Sequence, residues 1–451
     1  MQSIEGEKRA NQKEKGKKIV ASKAMLSTLL VAASLLGANG VIGKDIKIGS
    51  AKEFISFVNN VNDKGKTYKG TTVLLESDIA FSAKYSEQFK PIGINADYCF
   101  RGTFDGQGYA IKNLKVNIST KDNLVGLFGY TTGLTVRNVV IDRSCSFEQS
   151  YKVDFNGDFY LGGLISYFYA YYGPSTIENN VNMASVTYSG YLRQYIGSNV
   201  YVGGLAGHIY SHNYNITFKN CANYGLVRHI GTCYDSYIGG LVANSLGRYS
   251  AGISFKNCLN YETVFYRGSS KNLYMGGIAG KTTLSNIENC VNAGDILTIA
   301  KSGYIGSVVG YLHTSSLLNS YDNGENSLKS CGFVESSGVE ESLNFKMDGV
   351  GSNGNSIVDT LNAYVDSHRK ESLSHWAFNN GGKTVTFTVN GEKRFALTAR
   401  IMILPDLAKE GKTLFYGWYT DSGCTTLLKN YEITVPIGLY GIFGGNKTNE
   451  I

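Results

Sequence analysis

Two short patterns of apolar and polar residues recur along the middle of the chain. The first is a glycine-rich motif, found as VGLFG, GGLIS, GGLAG, GGLVA, GGIAG and GSVVG. The second places an asparagine between two apolar residues, as in FKNC and IENC, and its copies are Asn113, Asn138, Asn179, Asn220, Asn257, Asn289 and Asn319. The stretches between these motifs are rich in β-branched residues and lack a helical period. Each unit is therefore predicted to contain short strands.

The spacing of the asparagines predicts stacked coils with loops of variable length. Neighbouring copies are 25 to 41 residues apart. Because one unit cannot bury both of its faces, the units must stack, each pairing with its neighbours about 4.8 Å away. The predicted fold class is all-β: a right-handed parallel β-helix over residues 41–349.

The asparagine of the second motif is predicted to turn a corner. Apolar residues on both sides of it, three positions apart, break the two-residue period of a strand. Asparagine tolerates left-handed backbone geometry, and amides at one level of successive coils can form a hydrogen-bonded ladder. A second set is expected to form another ladder: Asn182, Asn223, Asn260 and Asn292.

Three of the eight cysteines share one position in the repeat. Cys221, Cys258 and Cys290 follow the corner asparagine where other copies have an aliphatic residue. We expect them to be free thiols that pack as small apolar side chains. A disulfide between adjacent coils is the alternative, since a coil spacing of about 4.8 Å permits it.

The N-terminus has the layout of an export signal. Basic residues from Lys8 to Lys23 precede 20 uncharged residues. Ala38 and Gly40 suit a cleavage site, so we expect residues 1–40 to be a signal peptide. The alternative is an uncleaved signal anchor, since 20 helical residues can just cross about 30 Å of hydrocarbon. Both interpretations predict a secreted or cell-surface protein, with membrane contact only through such an anchor.

Composition and charge narrow the classes of function. The 451 residues include 54 glycines and 32 tyrosines but only 4 prolines, which suits repetitive β-structure and excludes collagen. The formal charge is +7, but seven Lys or Arg and three Glu in the first 24 residues account for +4 of it. The rest is too close to neutral to gather phosphates, so no nucleic-acid partner is expected. The six histidines share no repeat position and no C-x-x-C motif occurs, so no metal or cofactor is expected.

The glycine-rich motif followed by the asparagine motif resembles the GLUG-type repeats of exported and surface proteins. The stretch Asp45–Leu114 resembles the usual opening of such proteins. Ser50 can cap a helix there, and the apolar stripe of that helix could plug the end of the solenoid. The stripe consists of Phe54, Ile55, Phe57, Val58 and Val61.

Two later segments resemble parts of the same kind of protein. Residues 350–380, which include SIVDTLNAYVDSHRKESLSHWAF, resemble the helix and Trp-bearing strand that close the repeat array. Residues 381–451 resemble a Listeria-Bacteroides repeat, a small β-rich module of surface proteins. This copy departs from the pattern at Phe443, where Trp is usual.

A tyrosine stands two residues before the glycines of five copies. These residues are Tyr160, Tyr201, Tyr237, Tyr274 and Tyr304. Because an aliphatic residue always follows the tyrosine, alternation predicts a stacked row that points outward. Such a row can simply stabilise a sheet, or it can form an aromatic platform for a ligand.

The loops before these tyrosines are the longest in the repeat region. They carry Arg193, Arg228, Arg267 and Lys271, so we predict that they share a binding surface with the tyrosines. Asn117, Asn215 and Asn446 lie in N-glycosylation sequons.

An enzyme would need carboxylates at one repeat position on adjacent coils. Asp295 and Glu325 meet this condition, although two solvated side chains are the simpler interpretation. No catalytic residue is therefore predicted. The expected function is a non-enzymatic surface protein of adhesin type that binds a glycan or protein partner. The alternative is an exported polysaccharide lyase or glycoside hydrolase.

Overall fold

A computed structural model describes most of the chain from Asp45 onward. It covers residues 45–405, apart from 121, 153–156, 193–196, 249–250, 325–327, 336–342, 345–355, 381, 383 and 390, and the segments 415–420, 422, 428, 432–433 and 438–443. The predicted export segment, residues 1–40, lies outside this part. The described residues belong to one compact unit. No helix among them is long and apolar enough to cross a membrane.

The first helix packs into the N-terminal end of the solenoid core. α1 (Ala51–Asn62) begins after Ser50, whose side chain accepts a hydrogen bond from the backbone N–H of Glu53. Its apolar stripe is buried. The ring centre of Phe54 lies 6.1 Å from that of Phe104, a residue of an early coil. The predicted helical cap is confirmed.

Five parallel sheets form the wall of the solenoid, and each complete coil visits them in the order 1 to 5. Sheet 1 consists of Ile46–Ile48, Thr72–Leu75, Thr103–Asp105, Thr135–Arg137, Ser175–Glu178, Ile216–Lys219, Ile253–Lys256, Ser285–Glu288 and Ser316–Leu318. Sheet 2 consists of Ile79–Ala80, Ala110–Lys112, Val140–Ile141, Val181–Asn182, Ala222–Asn223, Leu259–Asn260, Val291–Asn292, Tyr321–Asp322 and Leu343–Asn344. A short helix, α2 (Ala83–Gln88), interrupts the first coil.

The other three sheets complete the wall of the solenoid. Sheet 3 consists of Lys115–Ile118, Ser146–Gln149, Ser185–Tyr188, Val227–His229, Val264–Tyr266 and Ile296–Thr298. Sheet 4 consists of Leu124–Val125, Phe159–Gly162, Val200–Gly203, Asp235–Gly239, Asn272–Gly276 and Tyr304–Gly306. Sheet 5 consists of Phe128–Thr131, Ile165–Ala170, Ala206–Ser211, Val242–Gly247, Ala279–Thr283, Val309–His313 and Cys331–Glu335. Neighbouring strands pair in parallel, so the predicted parallel β-helix is confirmed.

The asparagine of the second motif turns each coil from sheet 1 into sheet 2. All seven copies have a positive φ, between 44° and 59°. Their amides form a ladder in which Nδ2 of Asn220 donates to Oδ1 of Asn179 (3.0 Å) and Nδ2 of Asn257 donates to Oδ1 of Asn220 (2.9 Å). In the second set, Nδ2 of Asn223 donates to Oδ1 of Asn260 at 2.9 Å. Both predicted ladders are confirmed.

The glycine-rich motif and the second asparagine set meet inside the coil. Nδ2 of Asn182 donates to the carbonyl of Gly204 at 2.9 Å. A Cβ atom on Gly204 would lie 2.4 Å from Cγ of Asn223, and one on Gly240 would lie 2.2 Å from Cγ of Asn260. Only glycine leaves room for this approach. The coil is therefore pinched, with the corner between sheets 4 and 5 lying against the corner between sheets 2 and 3.

The three cysteines of the repeat are free and buried. Cys221, Cys258 and Cys290 are fully buried, and none is in a disulfide. The thiol of Cys258 donates to the backbone carbonyl of Lys256 at 3.2 Å, and burial raises its pKa well above the ordinary value. The predicted free thiols are confirmed, and the disulfide alternative is wrong.

The segment after the repeats packs against the side of the solenoid. It contains α3 (Ile357–Ser367), a 3₁₀ turn (Arg369–Glu371) and the strand Trp376–Asn379. Trp376 is buried in one apolar cluster with Leu259 of sheet 2, and its Nε1 donates to Oδ1 of Asn257 in the corner ladder at 2.5 Å. The predicted helix and Trp-bearing strand are confirmed, and that they close the array stays a prediction. The apolar outer face of sheet 2 needs a cover, and this segment supplies it.

A small β-rich module extends the same cover. Sheet 6 consists of Trp376–Asn379, Ile401–Ile403 and Glu432–Ile433, and sheet 7 consists of Thr384–Val389, Glu392–Thr398, Phe415–Tyr419 and Gly438–Phe443. Phe387 and Leu397 share a buried cluster with Val140 and Val181 of sheet 2. The guanidinium of Arg394 lies 3.8 Å from the ring centre of Tyr109. The predicted β-rich character is confirmed, and the resemblance to a Listeria-Bacteroides repeat stays a prediction.

Candidate binding surface

Five tyrosines form a continuous stack on the outer face of sheet 4. They are in register on successive coils: Tyr160, Tyr201, Tyr237, Tyr274 and Tyr304. Neighbouring ring centres are 4.6 to 5.1 Å apart, and the ring planes are 7° to 15° from parallel. The aliphatic residues that follow them pack in or against the main core. The predicted stacked row and its orientation away from that core are confirmed.

A second row on the outer face of sheet 5 packs against this stack. It consists of Tyr130, Tyr167, His208, Asn244, Lys281, Tyr311 and Phe333. The ring centres of Tyr160 and Tyr167 are 4.9 Å apart, and those of Tyr201 and His208 are 5.0 Å apart. The corner between sheets 4 and 5 lies deep inside the coil. The outer faces of these two sheets are therefore turned toward each other and come into contact. We call these two rows together the aromatic notch.

The sheet 5 row covers the middle of the tyrosine stack. Tyr201 and Tyr237 are only 7% and 8% exposed, whereas Tyr160, Tyr274 and Tyr304 are partly exposed. Burial raises the pKa of Tyr274 to about 12. The stack is therefore covered in the middle and partly exposed at its ends, and its use as a binding platform stays a prediction. Alternation places the tyrosines outside the coil, but only the packing of sheet 5 decides how much of each ring water reaches.

A row of acids and amides runs beside the tyrosines. Asp158, Asn199, Asp235 and Asn272 each stand two residues before a tyrosine of the stack. Oδ1 of Asp158 accepts the backbone N–H of Asn199 at 2.8 Å, and Nδ2 of Asn272 donates to Oδ1 of Asp235 at 2.8 Å. Burial raises the pKa of Asp158. This row was not predicted from the sequence, although an Asp or Asn recurs there at one fixed offset before the tyrosine.

The sheet 5 row places polar nitrogens among the rings. Nζ of Lys281 lies 5.0 Å from the ring centres of both Tyr274 and Tyr311, and burial lowers its pKa. Nδ2 of Asn244 lies 3.0 Å from Nδ1 of His208. Burial lowers the pKa of His208 to about 4, so this imidazole is neutral near pH 7 and its Nδ1 accepts a hydrogen bond from the Asn244 amide. The notch thus offers one cation, amides and phenol groups beside aromatic surface.

The predicted cationic residues only partly join the notch. Arg228 lies on the outer face of sheet 3, with its guanidinium 5.9 Å from the ring centre of Phe265. Arg267 is exposed, and no contact brings it to the tyrosine stack. Arg193 lies outside the described residues. Nζ of Lys271 donates to the hydroxyl of Tyr234 at 2.7 Å.

An open cavity lies at one end of the tyrosine stack. It has a volume of about 370 Å³ and is lined by Lys271, Asn272, Lys301 and Tyr304, among others. Both lysines come from the loops that precede sheet 4. The loops therefore contribute positive charge at this end of the notch, and the binding role predicted for Lys271 stays a prediction.

The described residues show no assembled metal centre. They contain no group of three or more His, Cys, Asp or Glu side chains that could hold an ion. Asp295 accepts a hydrogen bond from Nδ2 of Asn323 at 3.2 Å, while Glu325 lies outside the described residues. The proposed carboxylate pair therefore stays a prediction.

The sequons lie away from the notch. Asn117 is exposed on sheet 3, and Asn215 is exposed before sheet 1, where its Oδ1 accepts the backbone N–H of Gly252 at 3.0 Å. Asn446 lies outside the described residues.

Comparison with known proteins adds little to this geometry. No family model matches the chain. No curated protein matches it either. One similar solved structure is that of a protein described as a putative immunoglobulin A1 protease from Bacteroides ovatus, with 15% identity and a TM-score of 0.37. The match covers 70% of this chain and 87% of that one, and at this level it supports no conclusion about activity.

Proposed function

We propose that this protein is an exported, cell-surface, non-enzymatic β-helix protein of adhesin type. It binds a glycan or protein partner through the partly exposed end of the aromatic notch. The observation that carries the proposal is the combination at Tyr274 and Tyr304 of stacked rings, the Lys281 ammonium and the adjacent open cavity.

The chemistry of this end suits a polar ligand that also has apolar faces. Aromatic rings supply contact area at a small loss of side-chain entropy, and their hydroxyl groups supply hydrogen bonds. The rigid solenoid holds them in place before a ligand arrives, which reduces the entropy lost on binding. The export part of the proposal depends on the N-terminal sequence alone.

Replacing Tyr274 and Tyr304 together with Ser tests the binding site. We expect the double variant to lose at least tenfold in affinity for glycans that the full-length protein captures on a glycan array, because desolvated aromatic contacts each contribute about 1 to 3 kcal/mol. Phe265→Ser is the matched control, since it removes a partly exposed ring from sheet 3. Circular dichroism must show that both variants are folded.

Two results would contradict the proposal. Unchanged binding by the folded double variant places the site elsewhere. Equal losses in the double variant and in Phe265→Ser show that the notch has no special role.

A further inference from the structure

A second group of aromatic residues lies outside the notch, where sheet 5 turns toward sheet 1. One coil contributes Tyr169, Tyr171 and Tyr172, and the next contributes Tyr210, His212 and Tyr214. We call these six residues the corner cluster. The register pairs Tyr169 with Tyr210, so the two coils present equivalent rings side by side.

Two rings of the corner cluster stack on each other, and three others are exposed. Those of Tyr169 and Tyr210 are 5.2 Å apart and within 1° of parallel, and the imidazole of His212 lies 5.9 Å from the Tyr210 ring. Tyr171, Tyr172 and Tyr214 are 44%, 51% and 40% exposed. The side-chain oxygen of Ser211 donates to the carbonyl of Tyr214 at 2.8 Å and holds that loop.

Two arginines flank the cluster. The guanidinium of Arg101 lies 3.9 Å from the ring centre of Tyr172. On the opposite side, Nη1 of Arg248 donates to the hydroxyl of Tyr210 at 2.8 Å. Arg248 is the charged group that acts on Tyr169, where it partly offsets the rise in pKa that burial causes.

The fold itself does not require these exposed rings. Tyr171, Tyr172 and Tyr214 lie beyond the ends of their strands and belong to none of the buried apolar clusters. Concentrated aromatic surface of this kind on a soluble protein marks an interaction site more often than a structural one.

We propose that the corner cluster binds a carboxylated saccharide. The electron-rich ring faces can pack against the C–H groups of a sugar, while phenol and imidazole groups can pair with its hydroxyls. A guanidinium fork matches a carboxylate with two parallel hydrogen bonds. The corner cluster shares no residue with the notch and lies on other coils than Tyr274 and Tyr304.

Calorimetric titration of the full-length protein with hexagalacturonate tests this site. Methyl-esterified hexagalacturonate is the neutral probe of equal length, and the pair sialyllactose and lactose separates a sialic acid from a uronic acid. We expect one of the two carboxylated probes to bind at least tenfold more tightly than its neutral counterpart. The preference should weaken at high salt.

Three variants locate the binding. The double replacement Tyr171→Ala with Tyr214→Ala, and the single replacement Arg248→Gln, should each weaken binding of the carboxylated probe at least tenfold. Phe265→Ala is the matched control and should bind normally, because Phe265 is a partly exposed ring on sheet 3.

Several outcomes would overturn the proposal. These are failure of both carboxylated probes to bind, equal binding of charged and neutral probes, or unchanged affinity in folded corner variants. A loss of binding in Tyr274→Ser with Tyr304→Ser, but not in the corner variants, would also reject the corner site while supporting the notch.

Discussion

At the scale of single residues, the repeat depends on side chains that satisfy unusual local geometry. The corner asparagine accepts a positive φ and also passes a hydrogen bond to the next coil, as between Asn257 and Asn220. The amide of Asn257 also donates to the carbonyl of Ser374 at 2.8 Å, so the ladder helps to hold the C-terminal cover. Beside it, a thiol fills the small apolar space that follows the corner.

Replacing Cys258 tests the packing role of that thiol. Cys258→Val keeps a small apolar side chain and should change the free energy of unfolding by less than about 1.5 kcal/mol. Cys258→Asp puts a carboxylate where burial already raises the thiol pKa, and should destabilise the protein by several kcal/mol. Thermal unfolding of both variants measures the difference. A large loss of stability in Cys258→Val would show that the sulfur itself is needed.

At the scale of elements, the two sequence motifs turn out to be partners across the coil. Glycine at positions such as Gly240 lets the corner of sheets 4 and 5 approach the amide of Asn260. This contact narrows the coil and folds the outer faces of sheets 4 and 5 toward each other. The aromatic notch is therefore a consequence of a glycine and an amide on the inside of the wall.

Gly240→Ala tests this connection. Its Cβ atom would lie 2.0 Å from the carbonyl oxygen of Gly277, so the backbone of two coils must shift. We expect a loss of more than about 2 kcal/mol of stability. In Gly173→Ala the new atom meets nothing within 4 Å, and stability should change by less than about 0.5 kcal/mol. Equal melting temperatures for the two variants would contradict the pinched coil.

At the scale of the whole molecule, the outer faces of sheets 2, 4 and 5 are covered in different ways. Sheet 2 is covered by α3 and the C-terminal module, sheets 4 and 5 cover each other in the notch, and the corner cluster stays exposed. Two histidines are buried in this arrangement. Burial lowers the pKa of His208 to about 4 and that of His229 to about 3.

Because these two histidines are buried, we expect the folded protein to lose stability in mild acid. Both are neutral in the folded protein, while their pKa in the unfolded chain is about 6.5. Below that pH the unfolded chain binds more protons, so the free energy of unfolding falls by up to about 1.4 kcal/mol per pH unit for each histidine. The melting temperature should drop between pH 7 and pH 5, and less so in a His208→Gln, His229→Gln variant. An equal drop in that variant would assign the effect to other groups.

The sequence alone determined the features that repeat from coil to coil. Parallel strands in register place equivalent residues about 4.8 Å apart, so recurrence of Asn220, Cys258 or Tyr237 is enough to predict a ladder, a buried stack and a ring stack. The helix at Ala51–Asn62 was equally clear, because its cap and apolar stripe are local signals.

Only the tertiary structure decided how one face of the molecule meets another. The burial of Tyr201, the position of Trp376 beside Asn257 and the exposure of Tyr171 all depend on contacts between residues far apart along the chain or on different sheets. A periodic pattern distinguishes the inside of a coil from its outside. Which outside surfaces are then covered depends on the angle between sheets and on where the C-terminal segment packs, and neither leaves a periodic signal.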